Sequence, residues 1–217
     1  MPAVINLTFT FFSNIFFRKF CDTTFKMSSS VKIMPGATVC EDCILKGDIT
    51  IAGGTVIHPR ATIIAEGGPI IISEYCIVEE YATLIHMSNP NVEDKPGIQK
   101  PLIIGAHNVF EVGCRVESYS GHIGESNVFE CKSFVGPKVI IGSGCVIGAA
   151  CKLEESTLTD NTIVYGHDHI MREAMEKQPS QMLQLDFLSK ILPNYHKLRK
   201  PNVQMKRQPH PKPNPDA

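Results

Sequence analysis

Ile33, Val39, Leu45, Ile51, Ile57 and Ile63 stand six residues apart without a break, and Ile123, Phe129, Val135, Ile141, Ile147 and Leu153 do the same further along. Between these runs Ile72, Val78 and Leu84, then Ile104, Phe110 and Val116, resume the period after short slips, and Leu158 and Val164 close it. A period of six is neither the helical 3.6 nor the two-residue alternation of a lone strand. It marks a stacked repeat. The residue four places after each large one, from Ala37 to Thr162, is small or medium-sized at every step except Ile49. Both positions point inward when each hexad forms one short strand and one corner. Three hexads then close a triangular coil of about 18 residues, and coils stack about 4.8 Å apart through strand hydrogen bonds. About 20 hexads predict six to seven coils, a prism roughly 30 Å long.

The pattern divides the chain. Residues 31–166 hold 20 Ile and 13 Val against 5 Leu, a bias toward side chains that suit pleated surfaces and restrict helices. The β-helix is therefore expected over 31–168. A loop at 86–101, containing Asn89, Pro90, Pro96, Gly97 and Pro101, interrupts the repeat and must protrude from a corner. Gly105, Gly124, Gly136, Gly142 and Gly148 hold the second hexad position, which predicts tight corners where a Cβ would crowd the turn.

The span 169–196 reads as a helical segment, with Leu183, Leu185, Leu188, Ile191 and Leu192 at helical spacing. Leu185, Leu188, Ile191, Leu192 and Tyr195 are expected to pack on the prism, leaving Asp186 and Lys190 to face solvent or a partner. Residues 197–217, basic and Pro-rich, read as a disordered tail. Residues 1–30, with six Phe between Phe9 and Phe20, read as a disordered or non-native extension, Met27 opening the folded product; a mitochondrial-type presequence is the rival reading. A coil stack exposes strand edges at both ends, and edges invite pairing unless covered. The helix can cover a face or an end, whereas the first coil near Val31–Pro35 has no comparable cover in sight.

Composition adds exclusions. With 21 Lys+Arg against 22 Asp+Glu the formal charge is −1, so no bulk attraction to nucleic acid or anionic lipid is available. No apolar run approaches the roughly 20 residues of a membrane span. Five of the eight cysteines, Cys43, Cys76, Cys114, Cys145 and Cys151, fall on the small inward position and read as compact core hydrophobes rather than as disulfide partners or metal ligands. That usage suits a reducing, cytoplasmic compartment.

The hexads resemble those of the hexapeptide-repeat family. The resemblance implies an all-β fold, a left-handed parallel β-helix, here with a C-terminal α-helix. Many such proteins are enzymes, so two chemistries need weighing. The KGDITI segment, Lys46–Ile51, is similar to one in gamma-class carbonic anhydrases, whose zinc needs three converging imidazoles and an open water position. That family spaces two of its histidines five apart. No two of His58, His86, His107, His122, His167, His169, His196 and His210 are so spaced. Asp48 then reads as a corner residue bonding backbone amides, or as a trace of ancestry. The His167-Asp168-His169 segment reads as a polar corner where the repeat ends. An acyltransferase would need a base beside a protruding loop, for which His86 is the candidate; no orienting partner accompanies it, and a lone histidine at a loop base reads as solvated. No catalytic, cofactor-binding or metal-ligating residue is assigned; a hexapeptide enzyme using His86 or an unrecognised metal site is the alternative.

The segment LQLDFLSKILPNYHKLRK (Leu183–Lys200), with FEVGC (Phe110–Cys114) and VKIMPGA (Val31–Ala37), is similar to the hexapeptide-repeat subunits of dynactin. That resemblance implies a non-catalytic, cytoskeleton-associated part of the pointed-end complex. Its implied partners are dynactin subunit 5, the terminal actin-related protein and other pointed-end subunits, with dynein reached indirectly to support cargo-adaptor binding on microtubules.

Overall fold

The computed structural model describes residues 30–89, 100–119, 121–166, 168–175 and 179–203. The expectations for 1–29, for 90–99 inside the protruding loop and for the chain beyond 203 lie outside them. The hexads form strands of two to four residues that stack into three sheets, of seven, eight and six strands. Val31 pairs with Ile49, Thr38 with Val56 and Ile44 with Thr62, all in parallel, so each turn of 18 residues returns to its own sheet. The inserted loop leaves the ladder intact, because Ile70 pairs directly with Leu102 across it.

The two inward positions fill the prism. Ile51, Ile57, Ile63, Ile72, Val78, Ile104, Phe110, Phe129 and Ile147 are fully buried, and Phe110 and Phe129 stack with ring centroids 4.6 Å apart. Each such side chain contributes roughly 1.5–3 kcal/mol of apolar burial. Ile49, large where a small residue is the rule, is also fully buried, whereas Leu45 is only partly so. Leu45 belongs to the first coil, which has a neighbour on one side only.

The corners divide their work between two positions. At many corners the fourth hexad residue takes positive φ whether it is glycine, as at Gly54 (72°), or not, as at Arg60 (60°) and Lys132 (57°). The second-position glycines answer a different constraint: a Cβ on Gly105 would stand 2.7 Å from the Gly124 carbonyl oxygen of the next coil. Stacking distance, not backbone handedness, demands glycine there.

Two features depart from the expected organisation. Inside the span read as helical, Ile170–Glu173 form a strand antiparallel to Thr162–Tyr165, which extends the eight-stranded sheet beyond the last coil. Helix α1 is shorter, Met182–Tyr195, and about 21 Å long at 1.5 Å per residue. Its Leu185 and Leu192 join Cys40, Val56, Ile77 and Val109 in one buried cluster, so the helix lies along the outside of the eight-stranded sheet, crossing several coils. Tyr195, expected to pack inward, is 77% exposed, since the helix ends there and the chain turns away.

The segment 197–203, expected to open the unstructured tail, packs on the first coil and supplies the cover of which the sequence shows no sign. Leu198 bridges Cys40, Arg199 N–H donates to the Val39 carbonyl, and Glu41 N–H donates to the Lys197 carbonyl. Asn202 accepts from Ile33 N–H at 2.8 Å and donates to the Val31 carbonyl at 2.6 Å. Local composition describes this segment as soluble and basic; its partners lie about 160 residues away, where no local pattern reaches.

Candidate functional site

His86 closes the strand Thr83–His86 and is 3% exposed. Its Nδ1 lies 3.1 Å from the Gly68 carbonyl oxygen, and burial pushes its pKa below the ordinary histidine value. A side chain expected to be solvated at a loop base is thus sealed into the prism wall. A general base must reach the proton it removes. His86 is spent on a backbone carbonyl instead.

The other described histidines are scattered. His58 is half-buried, its pKa lowered by burial, and its Nε2 is a buried atom with no hydrogen-bond partner. His107 stacks on Tyr75 with centroids 5.4 Å apart, and His169 Nε2 accepts the Lys152 amide at 3.2 Å. Among the described residues no three His, Cys, Asp or Glu side chains converge as a metal site; His167 and His210 lie outside them. In the KGDITI corner, Asp48 Oδ1 is buried and lies 3.6 Å from Lys32 Nζ, with no amide bonded to it.

Cys43, Cys76, Cys114, Cys145 and Cys151 are all buried, and burial raises every one of their thiol pKa values, that of Cys76 to about 12. Their sulfurs bond neighbouring coils: Cys76 Sγ donates to the Gly105 carbonyl at 3.2 Å and Cys145 Sγ to that of Thr159 at 3.2 Å. In the same column Asn108 and Asn127, both 0% exposed, link coil to coil through their amides. A second ladder runs outside: Glu79, Glu111 and Glu130 each accept an amide of the next coil, from Val112 (3.1 Å), Cys131 (3.0 Å) and Ala149 (2.8 Å). Both ladders went unread in the sequence, although Glu one place after Val78, Phe110 and Phe129 was a visible signal.

What this scaffold offers is surface. Asp186 and Lys190 are exposed and pair with each other at 2.7 Å. The outer side of the helix carries Leu183, 87% exposed, and Phe187, 59% exposed. The seven-stranded sheet turns Ile71, Ile103 and Ile140 outward, with Ile140 54% exposed. Apolar side chains displayed on flat, repeated strands suit binding another protein better than holding a small molecule.

Comparison with known proteins places this architecture. No protein-family model matches the chain. It is 47% identical over 173 residues to dynactin subunit 6 of Xenopus tropicalis, covering 79% of this chain and 85% of that one. It is 46% identical to dynactin subunit 6 of Danio rerio (79% and 88% covered) and 43% identical to that of Nematostella vectensis (78% and 92%). Among solved structures, a hexapeptide transferase family protein from Anaplasma phagocytophilum matches with a TM-score of 0.55 at 13% identity, covering 74% of this chain and 87% of that chain. That likeness concerns the fold, the left-handed parallel β-helix of hexapeptide repeats.

Proposed function

Because the chain belongs to the dynactin subunit 6 family, we propose that it serves as a non-catalytic subunit of dynactin, within the pointed-end complex. There it pairs with dynactin subunit 5, the other hexapeptide-repeat subunit, beside the terminal actin-related protein. Together they cap the filament end and support the binding of cargo adaptors to dynein and dynactin on microtubules. Its place is the cytoplasm, associated with the cytoskeleton.

The observation that carries this reading is the 47% identity sustained over 79% of the chain. Physical features support it. The candidate base His86 is sealed against Gly68, away from any substrate. A prism with apolar residues on an open face can bury the roughly 1,200–2,000 Å² of a stable protein interface.

The test is co-purification. Tagged full-length protein expressed in cells of its source should capture dynactin at fixed stoichiometry. The purified chain should hold no stoichiometric zinc and neither hydrate carbon dioxide nor transfer an acetyl group. A self-trimer that turns over substrate and leaves dynactin uncaptured would overturn the reading.

A further inference from the structure

The two ends of the prism are finished differently. At the first coil the chain's own extended segment, Lys197–Asn202, lies on the strand edge, and Arg199 Nη2 donates to the carbonyls of Glu41 (3.2 Å) and Cys43 (3.0 Å). At the last coil the strand Ile170–Glu173 continues only the eight-stranded sheet. The seven-stranded sheet stops at Thr157–Leu158, with no described strand beyond it. Ile140 N–H donates to the Ser156 carbonyl and Gly142 N–H to that of Leu158. Strand alternation therefore turns the N–H and C=O of Thr157 off the end of the prism. An exposed edge of this kind is a template for another strand.

Beside that edge lies an open depression bounded by Thr157, Asp160, Met171, Arg172 and Glu173, with the Arg172 guanidinium set over the Tyr165 ring. Met171 stands directly opposite Val164 in the ladder, and opposed residues share a side of the sheet. Val164 is fully buried in the core, so the Met171 side chain lies toward the end of the apolar column, 46% exposed. Glu173 stands opposite Thr162 in the same way.

Charge distinguishes the ends as well. Residues 30–47 with 197–203 carry Lys32, Lys46, Lys197, Arg199 and Lys200 against Glu41 and Asp42. Residues 148–166 with 168–175 carry Glu154, Glu155, Asp160, Asp168 and Glu173 against Lys152 and Arg172. The first coil by itself is balanced, Lys32 and Lys46 against Glu41 and Asp42, and the extended segment already paired with it makes that end basic. The acidic end shows the complementary charge and an edge with no described strand on it.

We propose that the Thr157–Leu158 edge is a docking site for an extended basic segment of a partner chain, which adds an eighth strand to the seven-stranded sheet. An apolar residue of that segment packs on Met171, and a neighbouring Lys or Arg reaches Asp160 and Glu173. A second copy of this chain fits less well, since its own basic end is occupied by Lys197–Asn202. The proposal stands on the fold and is independent of the assembly the chain joins.

The probe is a fluorescein-labelled eight-residue peptide alternating Lys with Val, compared with one alternating Glu with Val, titrated into the full-length protein. Anisotropy should rise with the Lys peptide only, and the binding should weaken as salt is raised. Amide resonances of 157–162 and 171–173 should shift, and exchange at the Thr157 amide should slow as it acquires a partner. Asp160→Asn with Glu173→Gln, both on the surface, should weaken binding about fivefold, the loss of two exposed ion pairs. Equal binding of the Glu peptide, shifts confined to other regions, no binding at about 1 mM peptide, or self-association through this end in place of peptide binding would overturn the proposal. Dynactin capture is scored separately, so either reading can fail alone.

Discussion

The backbone N–H of Asn127 donates to Oδ1 of Asn108 at 2.9 Å, inside the prism, where both residues are completely buried. Asn108 Nδ2 meanwhile donates to the carbonyls of Gly105 (2.7 Å) and Gly124 (2.8 Å), and Asn127 Oδ1 accepts the Cys145 amide at 2.7 Å. One column of inward side chains thus stitches successive corners together where backbone groups turn away from the strand ladders. Asn108→Leu keeps the volume and removes the stitching, stranding the Asn127 amide and the Gly124 carbonyl, while the Gly105 carbonyl keeps the Cys76 thiol. Its expected cost is about 2–4 kcal/mol of unfolding free energy, read from urea denaturation.

Thiol reactivity should report the same inward column. In the folded protein at about pH 8, iodoacetamide should modify Cys131, which is exposed, and spare Cys40, Cys43, Cys76, Cys114, Cys145 and Cys151 until urea is added. Cys131 itself should react slowly, because its thiol donates to Glu111 Oε2 at 3.2 Å, and this bond raises its pKa. Glu111→Gln should speed alkylation at that site. Peptide mapping by mass spectrometry reads both results, and fast native labelling of Cys145 would contradict the inward assignment.

Acid dependence should appear at Glu79. Burial, and then the charge of Glu111, hold its carboxyl above the ordinary range, so folding favours the protonated form. The stability that this group adds is complete below its unfolded pKa and is lost as pH rises through the folded one. Glu79→Gln, which can still accept the Val112 amide, should therefore melt about 2 °C higher than the parent at pH 7. Near pH 4 the two melting curves should converge.

Closure of the first coil should depend on Asn202. Its side chain bonds Ile33 N–H and the Val31 carbonyl, and its own N–H donates to the Ile33 carbonyl at 3.1 Å. Asn202→Ala should accelerate amide exchange at Ile33 and Arg199 by about tenfold, as expected for about 1.4 kcal/mol lost from a local opening. Exchange in the central coils, at Phe110 and Ile123, should be unchanged. A uniform acceleration would mean that this segment holds the whole prism rather than one end.

The repeat was legible because a solenoid writes its interior in local order. Ile33, Val39 and Ile51 face inward for a reason contained in the six residues around each, and a neighbour in space is a neighbour about 18 positions away. Even Ile49, which broke the small-residue rule, sits on the predicted side. Lys197–Asn202 showed no such signal, because basic, Pro-containing composition describes solubility and not a partner. His86 was misread for a related reason: its place beside the inserted loop suggested solvent, while its ladder partners Ala65 and Ser118 put it in the wall.

By itself the sequence determined the coil and its inward lining, since both are set by periodicity and residue type. Tertiary structure decided which edge is closed by the chain's own segment 197–202, which face the helix covers and which edge has no described strand beside it. The helix is placed by the apolar contacts of Leu185 and Leu192 with Cys40, Val56, Ile77 and Val109, and the first coil is closed by backbone hydrogen bonds such as Arg199 N–H to the Val39 carbonyl, between residues some 160 positions apart. Main-chain donors and acceptors are common to nearly every residue, so they leave no mark in the order of side chains.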